Sequence, residues 1–245
     1  MHPLQHKRAL VTGGARRIGR TIALTLAQAG ASVAITYRNS VAEAESTLRE
    51  IANANEAAGG EAIAIRCDLR DPENIREAVS EVVSDLGGLD YLINNAGAFE
   101  SAALESITPQ QWDALFEINT RAPLLMAQAA HPHLKSAHGR IVNIGSLGGL
   151  KPWATHGHYS SSKAALHMLS QTMAKAWAPE ISVNCVAPGM VVIGEVDQAY
   201  RHFAEKTPMR ANATPDDVAA AVMFFLTGPH FITGQLLAVD GGLGL

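Results

Sequence analysis

The chain is short of the features that would place it among secreted, membrane-spanning or nucleic-acid-binding proteins. Only two of its 245 residues are cysteine, Cys67 and Cys185, and each sits in or beside an apolar run. That excludes a disulfide-stapled framework and leaves two buried, reduced thiols as the expectation. Charged residues make up 17% of the chain, the formal net charge is −4, and lysine and arginine cluster nowhere. A nucleic-acid surface needs a basic patch or stripe, so none is expected. No apolar run reaches the ~18 residues of a membrane span, and Met1–His6 is too short and polar for a secretion signal. The expectation is a soluble, cytoplasmic protein. Among ten histidines, His131 and His133 stand two apart with no third ligand at a suggestive spacing, so no metal site is expected. Linkers, low-complexity tracts and repeats are also missing, which points to one domain over residues 1–245.

What the chain has is apolar content, 47%, arranged in one rhythm. Short β-type runs alternate with amphipathic segments: Arg8–Thr12, a helix over Arg17–Gly30, Ser32–Tyr37, a helix over Ala42–Ala58, then Ala62–Arg66. A helix from Pro72 to Leu86, the strand Leu89–Ile93, a long helix over Pro109–Lys135 and the strand Arg140–Gly145 follow. The helix His158–Trp177, the strand Ser182–Val186, the helix Pro215–Leu226 and the strand Gln235–Val239 complete the series. Asp71-Pro72, Thr108-Pro109 and Thr214-Pro215 are N-cap-plus-proline starts. Nearly all-apolar strands such as Ile141–Ile144 fit a sheet covered by helices on both faces. Repeated β-α-β units with right-handed crossovers give an α/β fold: a single Rossmann domain with a doubly wound, seven-stranded parallel sheet.

Ligands of such sheets bind beyond the carboxyl ends of the strands. There, after the first strand, stands Thr12-Gly13-Gly14-Ala15-Arg16-Arg17-Ile18-Gly19, opening a helix. Glycines let backbone approach a pyrophosphate, and the helix start supplies N–H groups and a positive dipole end. Gly13, Ala15, Arg16, Arg17, Ile18 and Gly19 are therefore candidate dinucleotide-binding residues. NAD binding calls for an acid about 20 residues on, at the end of the second strand. Tyr37-Arg38-Asn39-Ser40 stands there instead, with no carboxylate until Glu43. Arg38 and Arg16 can converge on a 2′-phosphate, with Asn39 and Ser40 beside it, so NADP(H) is the expected cofactor. Farther along, Tyr159 and Lys163 are four apart on one helix face. A Lys⁺ about 4 Å from a phenol favours phenolate by roughly 4 kcal/mol at an effective dielectric of ~20, or about 3 pKa units. A tyrosine tuned that way exchanges protons near neutral pH.

These residues, with Asp68-Leu69, Asn94-Asn95-Ala96-Gly97, Asn119, Ser146, Pro188-Gly189 and Val239-Asp240-Gly241-Gly242, make the whole chain resemble the short-chain dehydrogenases/reductases. Ser146 precedes Tyr159 by 159 − 146 = 13 residues, the separation expected in that family. The resemblance implies a catalytic set of Asn119, Ser146, Tyr159 and Lys163. Tyr159 would protonate a carbonyl oxygen and Ser146 would donate a hydrogen bond to it. Lys163 would tune the tyrosine and hold the nicotinamide ribose, and Asn119 would feed a water chain to Lys163. It further implies that Asp68 and Leu69 contact adenine, that Asn95, Ala96 and Gly97 line the cofactor cleft, and that Pro188, Gly189 and Val191 hold the nicotinamide end. A homotetramer or homodimer is implied too, built on the Pro109–Lys135 and His158–Trp177 helices, where Ala164, Ala165 and Ala174 would let helices approach closely.

Two branches of the family bear on the substrate, expected to be a small-molecule carbonyl compound. Ser146 and Ile232-Thr233-Gly234-Gln235 resemble 3-oxoacyl-[acyl-carrier-protein] reductases, but Ala137 and Pro179-Glu180 stand where those enzymes place basic docking residues. Arg17 replaces the usual second glycine and is similar to the basic residue of pteridine reductases, which usually carry an acid at the position of Ser146. Ile193 stands where a threonine commonly holds the nicotinamide amide. The substrate wall is expected from Ser146, Leu147, Trp153, His156, His158 and Tyr159, under a lid formed by residues 192–207. A non-catalytic NADPH sensor on the same fold is the reading of a different class.

Overall fold

A computed structural model describes residues 2–56, 59–194 and 198–245. Its seven strands are β1 (Arg8–Val11), β2 (Ser32–Tyr37), β3 (Ala62–Arg66), β4 (Tyr91–Asn94), β5 (Arg140–Ile144), β6 (Ser182–Pro188) and β7 (Leu236–Val239). They form one parallel sheet in the order β3-β2-β1-β4-β5-β6-β7. The order reverses between β1 and β4, which opens the crevice where such folds bind ligands.

The helices are α1 (Arg17–Gln28), α2 (Val41–Asn55), α3 (Pro72–Leu86), α4 (Pro109–Phe116), α5 (Ala122–Ser136), α6 (Gly157–Trp177), α7 (Gln198–Lys206) and α8 (Pro215–Thr227). Strand alternation sends side chains to two cores. Ala9, Val11, Val33, Ile35, Ile93, Val142, Ile144 and Val186 pack under α1, α2 and α8 through residues such as Ile22, Leu26, Ile51, Val222 and Phe225. Leu10, Ala34, Leu92, Ile141 and Val183 pack on the other face against Ile75, Val79 and Val82 of α3, Met126 and Leu134 of α5, and Met173 of α6. Ala174 belongs to this second core at 3% exposure, so it is not free to form the intersubunit contact expected of it.

The cap signals hold. Asp71 accepts from the Glu73 N–H, and Thr108 with Gln111 and Thr214 with Asp217 form capping boxes, each before a proline. One long element is corrected. Pro109–Lys135 is not a regular helix: a π turn over Glu117–Arg121 separates α4 from α5 and carries Asn119. Apolar residues continue on both sides of it, so the sequence reads as one helix. The expected lid lies partly on residues 195–197, outside the described residues. Its described flanks are α7 and a parallel bridge that pins Val191 to Ala213. Cys67 and Cys185 are buried free thiols, each raised to about 11 by burial above all. Among the described residues no helix is long and apolar enough to cross a membrane.

Candidate active site

The carboxyl ends of β4 and β5 and the first turns of α6 bring the expected catalytic set together. Beneath it, Asn94 donates to Asn143 (2.9 Å) and Asn143 donates to Ser170 (2.8 Å), all three buried. This chain of satisfied amides ties both strands to α6, and buried polar groups need such partners. Asn119 is fully buried and uses its whole amide: it donates to the Ala98 carbonyl (2.9 Å) and Ser162 hydroxyl (3.0 Å) and accepts from the Ala98 N–H (2.9 Å). It therefore fixes the loop after β4. Gly97 keeps the space before it open, since a β-carbon there would stand 3.2 Å from Asn119 Oδ1 and 3.4 Å from Lys163 Nζ.

Ser146, two residues after β5, is in extended backbone and caps the short turn Leu147–Gly149. Its Oγ accepts from the Gly148 N–H (3.0 Å), which turns its one proton to the Tyr159 side of the site, where it meets the phenol oxygen. The Ser146 N–H in turn donates to Nε2 of His167 (3.3 Å), a buried ring seated against Gly145 and Gly149. Burial first and then Lys163 push the His167 imidazole down to about 4, so it is a neutral acceptor at physiological pH. Sequence reasoning missed His167. Its signal is a polar residue eight positions after Tyr159, on the buried side of α6.

The Tyr159–Lys163 pair differs from expectation. The Lys163 ammonium donates to the Ile144 carbonyl (2.9 Å) and is lowered to about 8 by burial. The Tyr159 phenol is raised, not lowered: burial dominates, and a hydrogen bond from Ser146 works against it. Spacing placed the two side chains on one face, but a carbonyl from β5 holds the charge that was expected to act on the phenol. Tyr159 accordingly holds its proton at neutral pH.

The other half of the crevice is built for an anion. Helix α1 opens without a side-chain cap, unlike α3, α4 and α8, and without an acid in its first turn, so its first N–H groups are free for a ligand. Arg17 there has φ 54°, the left-handed region that suits the glycine usual at this position. Thr12 links the turn to the loop after β4, its hydroxyl accepting from the Asn95 and Ala96 N–H groups (both 3.0 Å). Asn95 returns a bond to the Thr12 carbonyl (2.8 Å). Ala15 is buried, Gly19 sits too close to Asn95 and the Gly13 carbonyl for any β-carbon, and Ile18 packs on the core. Beyond β2, a cleft of about 450 Å³ is lined by Arg38, Asn39, Arg66, Asp68, Arg70 and Asn74. Arg70 clamps Asp68 with both arms of its fork and, with Arg38, holds that carboxyl down to about 2. Arg16 is not part of this lining but stands 3.8 Å from Glu43, so the cations gathered here are Arg38, Arg66 and Arg70. Ser40 precedes α2 without capping it, and Leu69 is half-buried against the α3 side. Pro188 ends β6, and Gly189 admits the backbone of Asp240, which a β-carbon would meet at 2.9 Å.

Comparison with known proteins agrees with this geometry. The family model described as Enoyl-(Acyl carrier protein) reductase matches residues 13–244. This chain is a short-chain dehydrogenase/reductase. It is 34% identical to a 3-oxoacyl-[acyl-carrier-protein] reductase of Staphylococcus epidermidis, over 97% of this chain and 99% of that one. It is 35% identical to a short chain dehydrogenase of Emericella nidulans, over 98% and 96%. A short chain dehydrogenase from Burkholderia cenocepacia, solved in complex with NADP, superposes with a TM-score of 0.91 at 42% identity, over 99% of this chain and 100% of that one.

The substrate side of this oxidoreductase is only partly as expected. Leu147 is buried, and Trp153 lies within 3.5 Å of the place a Gly148 β-carbon would take. His158 does not line the mouth. It is fully buried one residue round the helix from Tyr159, with Nε2 3.8 Å from the Glu100 carboxylate and no hydrogen-bond partner on either nitrogen. Phe99, an aromatic two residues after Asn95-Ala96-Gly97, takes its place, edge-on to Tyr159 with ring centres 4.9 Å apart.

Proposed function

We propose that this enzyme reduces a small ketone to an alcohol with NADPH, Tyr159 acting as the general acid. The observation that carries the reading is the Ser146 hydroxyl: it accepts from Gly148 and turns its one proton to the phenol oxygen of Tyr159, so a carbonyl oxygen placed between the two would take that hydrogen bond beside a phenol that burial keeps protonated. NADPH, held by the open start of α1 and by Arg38, Arg66 and Arg70 at its 2′-phosphate, supplies the hydride when bound. As charge develops on the carbonyl oxygen, Ser146 donates a hydrogen bond to it and Tyr159 delivers the proton. Lys163, on the Ile144 carbonyl, keeps a positive charge below pH about 8 and would hold the nicotinamide ribose. Asn119 fixes the Ala98 loop and the first turn of α6, which carry the walls of the site.

The likeness to 3-oxoacyl-[acyl-carrier-protein] reductases makes a 3-oxoacyl thioester or a related 3-oxo compound the first substrate class to test. Two features favour the free small molecule over a carrier-bound one. Glu180 stands at the turn where a basic docking residue is wanted, and Lys135 is already paired with it at 3.5 Å. The pteridine-reductase reading rests on Arg17, a side chain kept at a left-handed backbone position, and on the short turn Trp177-Ala178-Pro179-Glu180-Ile181. The proposal extends to a homotetramer or homodimer acting in the cytoplasm, with residues 192–207 closing over the substrate and no nucleic-acid or membrane partner. Exposed Met168 on α6, and Phe224 and Phe231 at and after α8, support self-association.

NADPH oxidation by the purified protein, with a short 3-oxoacyl thioester and dihydrobiopterin run side by side, tests these readings. Turnover of the thioester supports the proposal. Turnover of the pterin alone replaces it with the second reading. NADPH binding with no turnover of either, or of any ketone in a wider panel, leaves the sensor.

A further inference from the structure

One exposed group beside the catalytic tyrosine has no part in the chemistry described above. Phe99, on the loop after β4, is 62% exposed, far more than a core phenylalanine. Its edge meets Tyr159, and on another side it meets His156 with ring centres 4.9 Å apart and planes only 32° from parallel. His156 in turn meets Trp153 at 5.5 Å, edge to face. Three rings from two loops thus form a continuous shelf that ends on Tyr159. The shelf reaches the reacting atoms: Trp153, the Tyr159 ring and Ser146 Oγ all come within 3.5 Å of one point, the place a Gly148 β-carbon would occupy. Gly148 is the notch between them.

The charge around the shelf also selects. Lys151, the lysine of the Leu147–His156 loop, gives its ammonium to the carbonyls of Leu243 and Leu245 (3.2 and 2.9 Å). Lys163 is buried behind the site on the Ile144 carbonyl. The charged neighbour of Phe99 is Glu100, a carboxylate already accepting from Gln111 and standing near His158. Nothing in this set would attract an anion, and a carboxylate beside the shelf repels one. An aromatic shelf without a cation recognises planar apolar groups through offset or edge-on packing.

We propose that the group on one side of the reduced ketone is an uncharged planar ring, held on Phe99, His156 and Trp153 while its carbonyl meets Ser146 and Tyr159. This rests on the carbonyl-reductase reading and narrows it: the substrate is an aryl ketone of the 3-oxo type rather than a straight-chain one.

The test compares ethyl benzoylacetate with its saturated counterpart, ethyl 3-cyclohexyl-3-oxopropanoate, as substrates with NADPH. The wild type is expected to favour the aryl compound about 5–10-fold in kcat/KM, the range of one or two aromatic contacts. In Phe99→Ala and in Trp153→Leu that ratio is expected to fall toward one, whatever happens to the absolute rate. A wild-type ratio of one or less, or a ratio unchanged in both variants, overturns the shelf even if both ketones are reduced. Turnover of a straight-chain 3-oxo thioester with neither ring compound reduced also overturns it and leaves the carbonyl-reductase reading standing. Calorimetric binding of benzyl alcohol and cyclohexylmethanol to the NADP-saturated protein reads the same preference without turnover. Should no ketone react, tighter binding of benzyl alcohol that is lost in Phe99→Ala sustains the shelf, and equal binding of the two alcohols removes it.

Discussion

Arg38, Arg66 and Arg70 lie on the water side of the crevice, whereas Asn119, Lys163 and His167 are buried. The two groups lie on either side of the reversal between β1 and β4, one beyond β2 and β3, the other beyond β4 and β5. On the exposed side, charges stay in contact with water and act by number, with three guanidinium groups around one cleft. On the buried side, each group is altered by its surroundings and acts singly. Lys163 is lowered, Tyr159 is raised, and His167 is made a fixed neutral acceptor, with burial the leading cause in all three. In the proposed function, recognition that must release its ligand would draw on solvated charge, and proton transfer on desolvated groups.

That contrast implies unequal damage. The largest effect is expected for Tyr159→Phe, which removes the proton donor and nothing from the cleft. Ketone reduction should fall by roughly 10²–10⁴-fold, while NADPH affinity, read by titration, stays within about threefold of the wild type. Near-normal turnover would remove Tyr159 from the role of acid.

Lys163→Met should also abolish reduction, yet leave the fold more stable. Lys163 is lowered from 10.5 to about 8, so at neutral pH the folded state carries a buried charge that the unfolded chain carries in water. At 1.36 kcal/mol per unit that penalty is roughly 3 kcal/mol, offset by about 1 kcal/mol for the bond to Ile144. The unfolded state binds more protons between pH 8 and 10.5, so the penalty is complete below pH 8 and fades as pH rises through that window. Melting temperatures of the two proteins should differ most at pH 7 and converge toward pH 10.5. A gap independent of pH would show that the charge is not what separates them.

Arg38→Asp tests the exposed side. Loss of one charge-assisted bond of about 1.5–3 kcal/mol should shift the NADPH-to-NADH preference by roughly 10–100-fold, with kcat for the preferred cofactor little changed. An unaltered preference would assign the 2′-phosphate to Arg66 and Arg70. The smallest effect is expected for Arg17→Gly. Release of the left-handed backbone is worth about 1 kcal/mol, partly cancelled by the freedom glycine adds to the unfolded chain. Stability should rise slightly, simple ketone reduction should persist, and any pterin turnover should drop. Equal loss of both activities would make Arg17 a cofactor residue only.

The order of strands and helices was legible because buried parallel strands leave apolar runs, and because Asp71, Thr108 and Thr214 each announce a helix start before a proline. The residues proposed here to be catalytic were legible as types at spacings. Their electrostatics were not, because the Ile144 carbonyl that holds Lys163 arrives from a strand 19 residues away. Spacing within α6 carries no trace of it. Arg66 and Arg70 escaped notice for a similar reason: they join Arg38 only once β3 has paired with β2, where Tyr37 faces Arg66. His158 was misplaced because a first-turn residue one step from Tyr159 points about 100° away on the helix, here toward the Glu100 side rather than the mouth.

The π turn at Glu117–Arg121 has a consequence for chain length. It holds one residue more than a regular helix would need, so α4 and α5 stand out of phase by about 100°. Removing a single residue there would heal the helix and let it run straight from Pro109 to Ser136. The healed helix would turn Asn119 off Ala98 and Ser162, unfastening the loop that carries Phe99. At this one place, then, a deletion that makes the secondary structure more regular should disarm the enzyme.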